Sequence, residues 1–113
     1  MSQFIIYFNQ QWVGEHSEEW FAARGPLANA VVSEMRDAGV LVFAAGVEED
    51  TDAALVADAT SGTTTITPGL YAPAEQYIGG FTVIDVADDA DAHVWGAKLA
   101  EACGWPQQIR RVY

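Results

Sequence analysis

Between residues 26 and 47 the chain reads as a helix, a stop and a strand with no spacer between them. Pro26 suits a first helical turn, where its missing N–H costs nothing. Leu27, Val31, Met35 and Ala38 then recur at helical spacing, and Gly39 supplies the left-handed residue that commonly closes a helix. Val40 to Val47 follows as one unbroken apolar run, bounded by Glu48-Glu49-Asp50. Such a run is the pattern of a strand covered on at least one face by helix. The spacing predicts helix 1 over 26–38 and a strand over 40–47.

The remaining segments alternate in the same way. Residues 3–8 are apolar and aromatic and read as the first strand, which ends at the turn-prone Asn9. Ser17 before Glu18 and Glu19 is an N-cap for a short helical stretch that Gly25-Pro26 interrupts. Residues 53–58 and 63–67 flank Thr60-Ser61-Gly62 as a peripheral hairpin. A loop opened by Pro68-Gly69 leads through Gly79-Gly80 into the alternating strand 81–86. Asp88 and Asp89 start helix 2, over 88–102, whose apolar face carries Ala92, Trp95, Gly96 and Leu99 before Gly104 and Pro106 stop it. Residues 107–113 close the chain as a strand.

The order β-α-β-(β-β)-β-α-β is that of a ferredoxin-like antiparallel sheet with two helices on one face and an added hairpin. With apolar and aromatic residues throughout the strands, the other face is expected to pack against a second copy about a twofold axis, giving a dimeric α+β barrel. The 113 residues make one domain, 1–113, since two independent cores would not fit.

Charge narrows the function. Five basic and sixteen acidic residues give a net charge of −11, which disfavours nucleic acid and anionic membrane surfaces. Cys103 is the only cysteine, so there is no internal disulfide and no thiolate cluster for zinc or iron–sulfur. The first residues carry no basic leader, and their apolar run is too short for a signal core or a membrane span. A cytoplasmic location is the expectation. There is no Walker-type loop and no GxSxG elbow, and Gly79-Gly80 leads into a strand, so no cofactor is expected.

Thr67-Pro68-Gly69-Leu70-Tyr71-Ala72-Pro73-Ala74-Glu75-Gln76-Tyr77-Ile78-Gly79-Gly80-Phe81, followed by Ile84-Asp85-Val86, resembles the signature of the YCII-related family in its DGPF branch. There the pattern runs DGPFxExKEQLGGF and then a strand of the type IDV. The motif-matching residues are Gly69, Tyr71, Gly79, Gly80 and Phe81. The resemblance extends to helix 1 ending in Ala38-Gly39-Val40-Leu41-Val42, to Gly46-Val47, to Ala92 and Trp95, and to Arg110 in the last strand. It implies small dimeric α+β barrels. The departures fall on chemistry: the family's opening acid is Pro68 here, its proline Leu70, its aromatic Tyr71, and its glutamate Pro73. A histidine early in helix 1, which pairs with an aspartate in the other branch, aligns with Ala28 and Asn29. If the family's chemistry depends on those groups, this chain resembles a member that has lost or changed it.

Four residues are candidate ligand contacts. Tyr71 offers a phenolic donor from a Pro- and Gly-rich loop, or plugs the motif as its aromatic. Glu75 is the nearest carboxylate that burial could turn into a base, although such a residue is more often solvated. His93 lies beside the apolar stripe of helix 2 and is more often structural there. Arg110 or Arg111, but not both, looks into the sheet face, and Arg110 holds the family-matching position. Inside a dimer its guanidinium would bind a carboxylate or phenolate, or an acid of the partner. His16 beside Glu15, Glu18 and Glu19 does not make a metal site by itself. Trp12 and Trp20 are placed to roof a pocket.

Three functions fit. The foremost is a non-catalytic or weakly catalytic small-molecule-binding or accessory homodimer, with an apolar cavity between sheet and helix 1. The others are a lyase- or isomerase-type enzyme acting on an aromatic or enolisable compound through Tyr71 with Glu75 or His93, and a protein-interaction module. Whether the chain is an enzyme is open at this point.

Overall fold

The computed structural model describes residues 1–113. In chain order it has β1 (Ser2–Asn9), a 3-10 turn (Gln10–Trp12), α1 (Glu18–Asp37), β2 (Leu41–Gly46) and a second 3-10 turn (Thr51–Ala53). There follow β3 (Leu55–Asp58), β4 (Thr65–Pro68), β5 (Ile78–Val86), α2 (Asp89–Cys103) and β6 (Gln108–Val112). This is an α+β chain with two helices, a four-stranded sheet of order β2-β5-β1-β6 in which every neighbouring pair is antiparallel, and a separate β3-β4 ribbon. The sheet is open, with β2 and β6 as its edges, so one chain does not close a barrel.

Local chemistry accounts for most element ends. Ser17 Oγ accepts the Trp20 N–H at 3.1 Å and Asp88 Oδ1 accepts the Asp91 N–H at 2.9 Å, capping α1 and α2. Gly39 and Gly104 leave the two helices at φ 75° and 87°, the left-handed region that Gly enters without a Cβ clash. One expectation fails: α1 runs unbroken through Gly25-Pro26 instead of starting there. A proline disfavours the helical conformation of its predecessor mainly through that residue's N–H and Cβ, and Gly25 has no Cβ. Pro26 therefore removes one hydrogen-bond donor without ending the helix. Gly79 and Gly80, expected before the strand, lie within β5.

Strand alternation divides the sheet. Phe4 and Ile6 of β1 and Thr82, Ile84 and Val86 of β5 turn toward the helices, where they are buried with Val31 and Met35 of α1 and Ala92, Leu99 and Ala102 of α2. Burying a large aliphatic side chain stabilises by about 1.5–3 kcal/mol, so this single cluster is the main hydrophobic support of the fold. Gly96 lets α2 approach β6, because a Cβ there would overlap the end of the Ile109 side chain. Neither α1 nor α2 covers the opposite face, which is only partly covered, with Trp12 stacked on Tyr7. It carries Ile5 and Tyr7, Val83 and Phe81, and Phe43, which is 56% exposed.

The β3-β4 ribbon pairs with no other strand and exposes Leu55 and Ile66. Its projection shows in a radius of gyration of 16.3 Å, against about 13 Å for a compact domain of this length. Its turn is held by Asp58, whose Oδ1 accepts both the Thr60 N–H and the Thr60 hydroxyl at 2.8 Å. Those two bonds, the backbone one first, hold the Asp58 carboxyl below the ordinary aspartate value. A depressed folded value means the turn is supported above the ordinary aspartate pKa and loses that support as pH falls through the lowered one. A carboxyl NMR titration should therefore place Asp58 below the same residue in a peptide of the turn, and Thr60→Val should move it part of the way back. A midpoint equal to the peptide's would show that the two bonds do not hold the carboxylate.

Candidate functional site

A cleft of about 480 Å³ opens between α1 and the helix-facing side of the sheet, within the size range of small-molecule sites. Its floor is the sheet: Ile6 and Phe8 of β1, Gly80 and Thr82 of β5, and Ala44 and Gly46 of β2. One wall is the α1 face formed by Phe21, Arg24, Gly25, Ala28, Asn29 and Val32, and the end is closed by Leu99, Cys103, Trp105 and Gln107. Eleven of the eighteen lining residues are hydrophobic, and none is a carboxylate.

Small residues make the space. At Gly80 a Cβ would stand 2.9 Å from the Phe8 ring, and at Gly79 it would stand 2.8 Å from the same ring and 2.7 Å from Gln10 Oε1. The Gly-Gly pair thus lets an aromatic ring lie flat on the strand backbone. Phe8 in turn packs on Trp105 at 5.0 Å between centroids, and Trp105 on Trp20 at 6.1 Å. Trp20 lies over Gly104, where a Cβ would come within 2.8 Å of its ring, and is stacked on His16 at 3.6 Å. The cleft therefore ends in a fixed aromatic cluster.

Its polar groups are few. Arg24 stands over the Trp20 ring at 5.0 Å and donates from Nη1 to the Glu101 carbonyl at 3.1 Å. It has no carboxylate partner, the only salt bridge in the chain being Lys98–Glu34 at 2.9 Å. The indole N–H of Trp105 is buried and has no acceptor. Burial pushes the Cys103 thiol up, and the Arg24 charge opposes that rise only in part. Cys103 should accordingly react with a disulfide reagent on the order of tenfold or more slowly than in the urea-unfolded chain, because little thiolate forms. Arg24→Gln should slow it further by removing the charge that favours thiolate, and a faster reaction in that variant would refute the assignment.

The residues singled out in the sequence lie elsewhere. Tyr71, 78% exposed, and Glu75 sit in the loop before β5, His93 is on the exposed side of α2, and Arg110 is exposed on the helix-free face of the sheet. None of the four lines the cleft, and the structure does not bring them together there. Arg111 turns to the helix side, its guanidinium 5.8 Å from the Phe4 ring and bonded to Ser2 Oγ at 2.6 Å. Of the motif-matching residues, Gly80 and Phe81 line the cleft, Gly79 supports the Phe8 ring and Gly69 forms a turn at φ 94°. His16 engages Val13 O at 2.9 Å and Trp20, and no three His, Cys, Asp or Glu side chains converge as metal ligands would. Neither Trp12 nor Trp20 lines the cleft. Trp12 stacks on Tyr7 and, with Asn9, donates to Gln76 Oε1, tying the motif loop to the end of β1.

Arg24, Cys103 and Trp105 are the contributors that sequence reasoning did not connect. The signal was present in two places. Arg24 is one of only five basic residues and falls on α1 beside Gly25 and Ala28, and Cys103-Gly104-Trp105 follows the last apolar turn of α2. No protein-family model matches the chain, and no curated protein matches it. No helix is long and apolar enough to cross a membrane.

Proposed function

We propose that the chain is a YCII-related, DGPF-type protein that works as a non-catalytic or weakly catalytic small-molecule-binding or accessory homodimer. The observation that carries this reading is the cleft beside α1: apolar, of ligand size, and lined by no acid–base pair. Ala28 and Asn29, which align with the related branch's histidine, are on its wall. The lyase or isomerase alternative has less support, because Tyr71, Glu75 and His93 stand outside that cleft.

The strand order β2-β5-β1-β6, with one helix after β1 and one after β5, supports a ferredoxin-like reading. Pairing through the helix-free face is supported by three observations. Phe43 and Phe81 form an uncovered aromatic pair 5.8 Å apart on that face. Asp85 Oδ1 is buried without a partner, and its strand position shares the face with Arg110. The ribbon's Leu55 and Ile66 also have no cover within the chain. A second copy covers apolar surface that one chain leaves in water.

A thermal-shift screen with small aromatic phenols and carboxylates tests the binding role. A ligand at a hundred times its Kd adds about 2.7 kcal/mol of stability, and Ala28→Phe, which fills the cleft, should abolish the shift. Silence across the panel, or robust turnover of a panel compound, would sink the reading. Sedimentation equilibrium tests the pairing. It should return twice the chain mass at micromolar concentration and a single chain mass for Val83→Arg, and a monomeric wild type would refute the dimer.

A further inference from the structure

We propose that the cleft beside α1 takes an aromatic monocarboxylate, its ring laid between the Phe8–Trp105 cluster and α1 and its carboxylate held by Arg24. This rests on the reading of the cleft as a ligand site and specifies the ligand's chemistry. Two independent observations converge on it.

The first is the state of Arg24. In a chain with sixteen acidic side chains, the guanidinium has found no carboxylate, and its one hydrogen bond goes to a main-chain carbonyl. A guanidinium carries five N–H donors in a planar fork that matches a carboxylate. Arg36, Arg110 and Arg111 are exposed, so Arg24 is the one half-buried arginine and the only cation on the cleft wall. Its guanidinium stands over the Trp20 ring at 5.0 Å, which fixes it on the cleft wall with most of its donors unmade.

The second is the shape and sign of the rest. Gly25, Ala28, Gly46 and Gly80 leave a slot flanked by rings, which suits a flat apolar body. No lining carboxylate opposes a ligand anion, whereas the chain's net charge of −11 works against ligands carrying more than one negative charge. A single carboxylate on an aromatic frame satisfies both conditions.

The test compares 2-naphthoate with 2-naphthamide, which share a frame and differ in charge, by calorimetric titration of the wild-type protein and of the Arg24→Gln, Arg24→Lys and Ala28→Phe variants. The wild type should prefer the carboxylate by about tenfold or more, the range of a charge-assisted hydrogen bond. Arg24→Gln should bring the two probes level, Arg24→Lys should keep part of the preference, and Ala28→Phe should abolish binding of both. Equal binding of both probes by the wild type, with both lost in Ala28→Phe, overturns the carboxylate proposal and leaves the ligand site standing. The carboxylate proposal also falls, with the site intact, if Arg24→Gln, shown to be folded by its melting curve, keeps the preference. Binding that survives Ala28→Phe places the ligand elsewhere and overturns the proposal, and no binding of either probe overturns it together with the ligand-site reading.

Discussion

Met35→Ala is expected to destabilise the protein by about 2–5 kcal/mol, the range for emptying a fully buried aliphatic position. Met35 is 0% exposed and lies in the one cluster that joins α1 to the sheet and α2. Removing its side chain leaves a void bordered by elements that all depend on one another, so relaxation into the void is limited. For a domain of this size the loss lowers Tm by on the order of 10 °C. Leu27 is the informative control. It belongs to the same apolar series of α1 but is 50% exposed, so Leu27→Ala should stay within about 0.5 kcal/mol of the parent. Urea melts of both variants check this, and equal costs at the two positions would mean that α1 meets the sheet through a different face.

Gly80→Ala and Gly46→Ala should differ sharply although the two residues are register partners across β2 and β5. A Cβ at Gly80 meets two atoms of the Phe8 ring at 2.9 Å, whereas a Cβ at Gly46 meets nothing within 4 Å. The ring cannot withdraw freely, because Trp105 is packed on it. Overpacking of this kind costs about 1–3 kcal/mol, and it should also dim or shift the fluorescence of the Trp105 cluster. Gly46→Ala should leave stability within about 0.5 kcal/mol of the parent. Thermal melts with tryptophan emission separate these outcomes, and an unchanged emission spectrum in a destabilised Gly80→Ala would show that the ring is not resting on that backbone.

The sequence was most legible where one local rule decides. Both helix N-caps, the left-handed glycines that close the two helices, the β3-β4 hairpin and the helix-facing residues Val31, Met35, Ala92, Gly96 and Leu99 all follow from spacing and turn chemistry. It was least legible where two rules compete. Gly25-Pro26 reads as a break because proline is weighed alone, yet the missing Cβ of Gly25 removes part of the clash that makes proline a breaker. Gly79-Gly80 reads as a loop because nothing local announces that Phe8, about seventy positions earlier, covers the pair. The cleft was expected between sheet and α1 and is there, but its polar residues were not identified. Arg24 and Trp105 meet only through the packing of α1 against the end of α2, and side chains brought together by tertiary contact leave no mark in periodicity.

The central position of β1 in the sheet sets a condition on synthesis. Its neighbours are β5 and β6, and its start is tied to the end of the chain, with Ser2 and Arg111 109 positions apart. A ribosome therefore releases this middle strand before both of its neighbours, with β6 the last of the six strands to emerge. Until β5 emerges, the hydrogen-bonding edges of β1 have no native partner, and Phe4 and Ile6 have α1 but neither β5 nor α2 to pack with. The α1–β2 unit is able to form early, but loop closure over such distances is slow, and pairing must wait until β5 and β6 have been made. During that interval an apolar strand stands open to the nascent chains of neighbouring ribosomes, so the yield of folded protein is expected to respond to chaperone capacity and translation rate as well as to final stability.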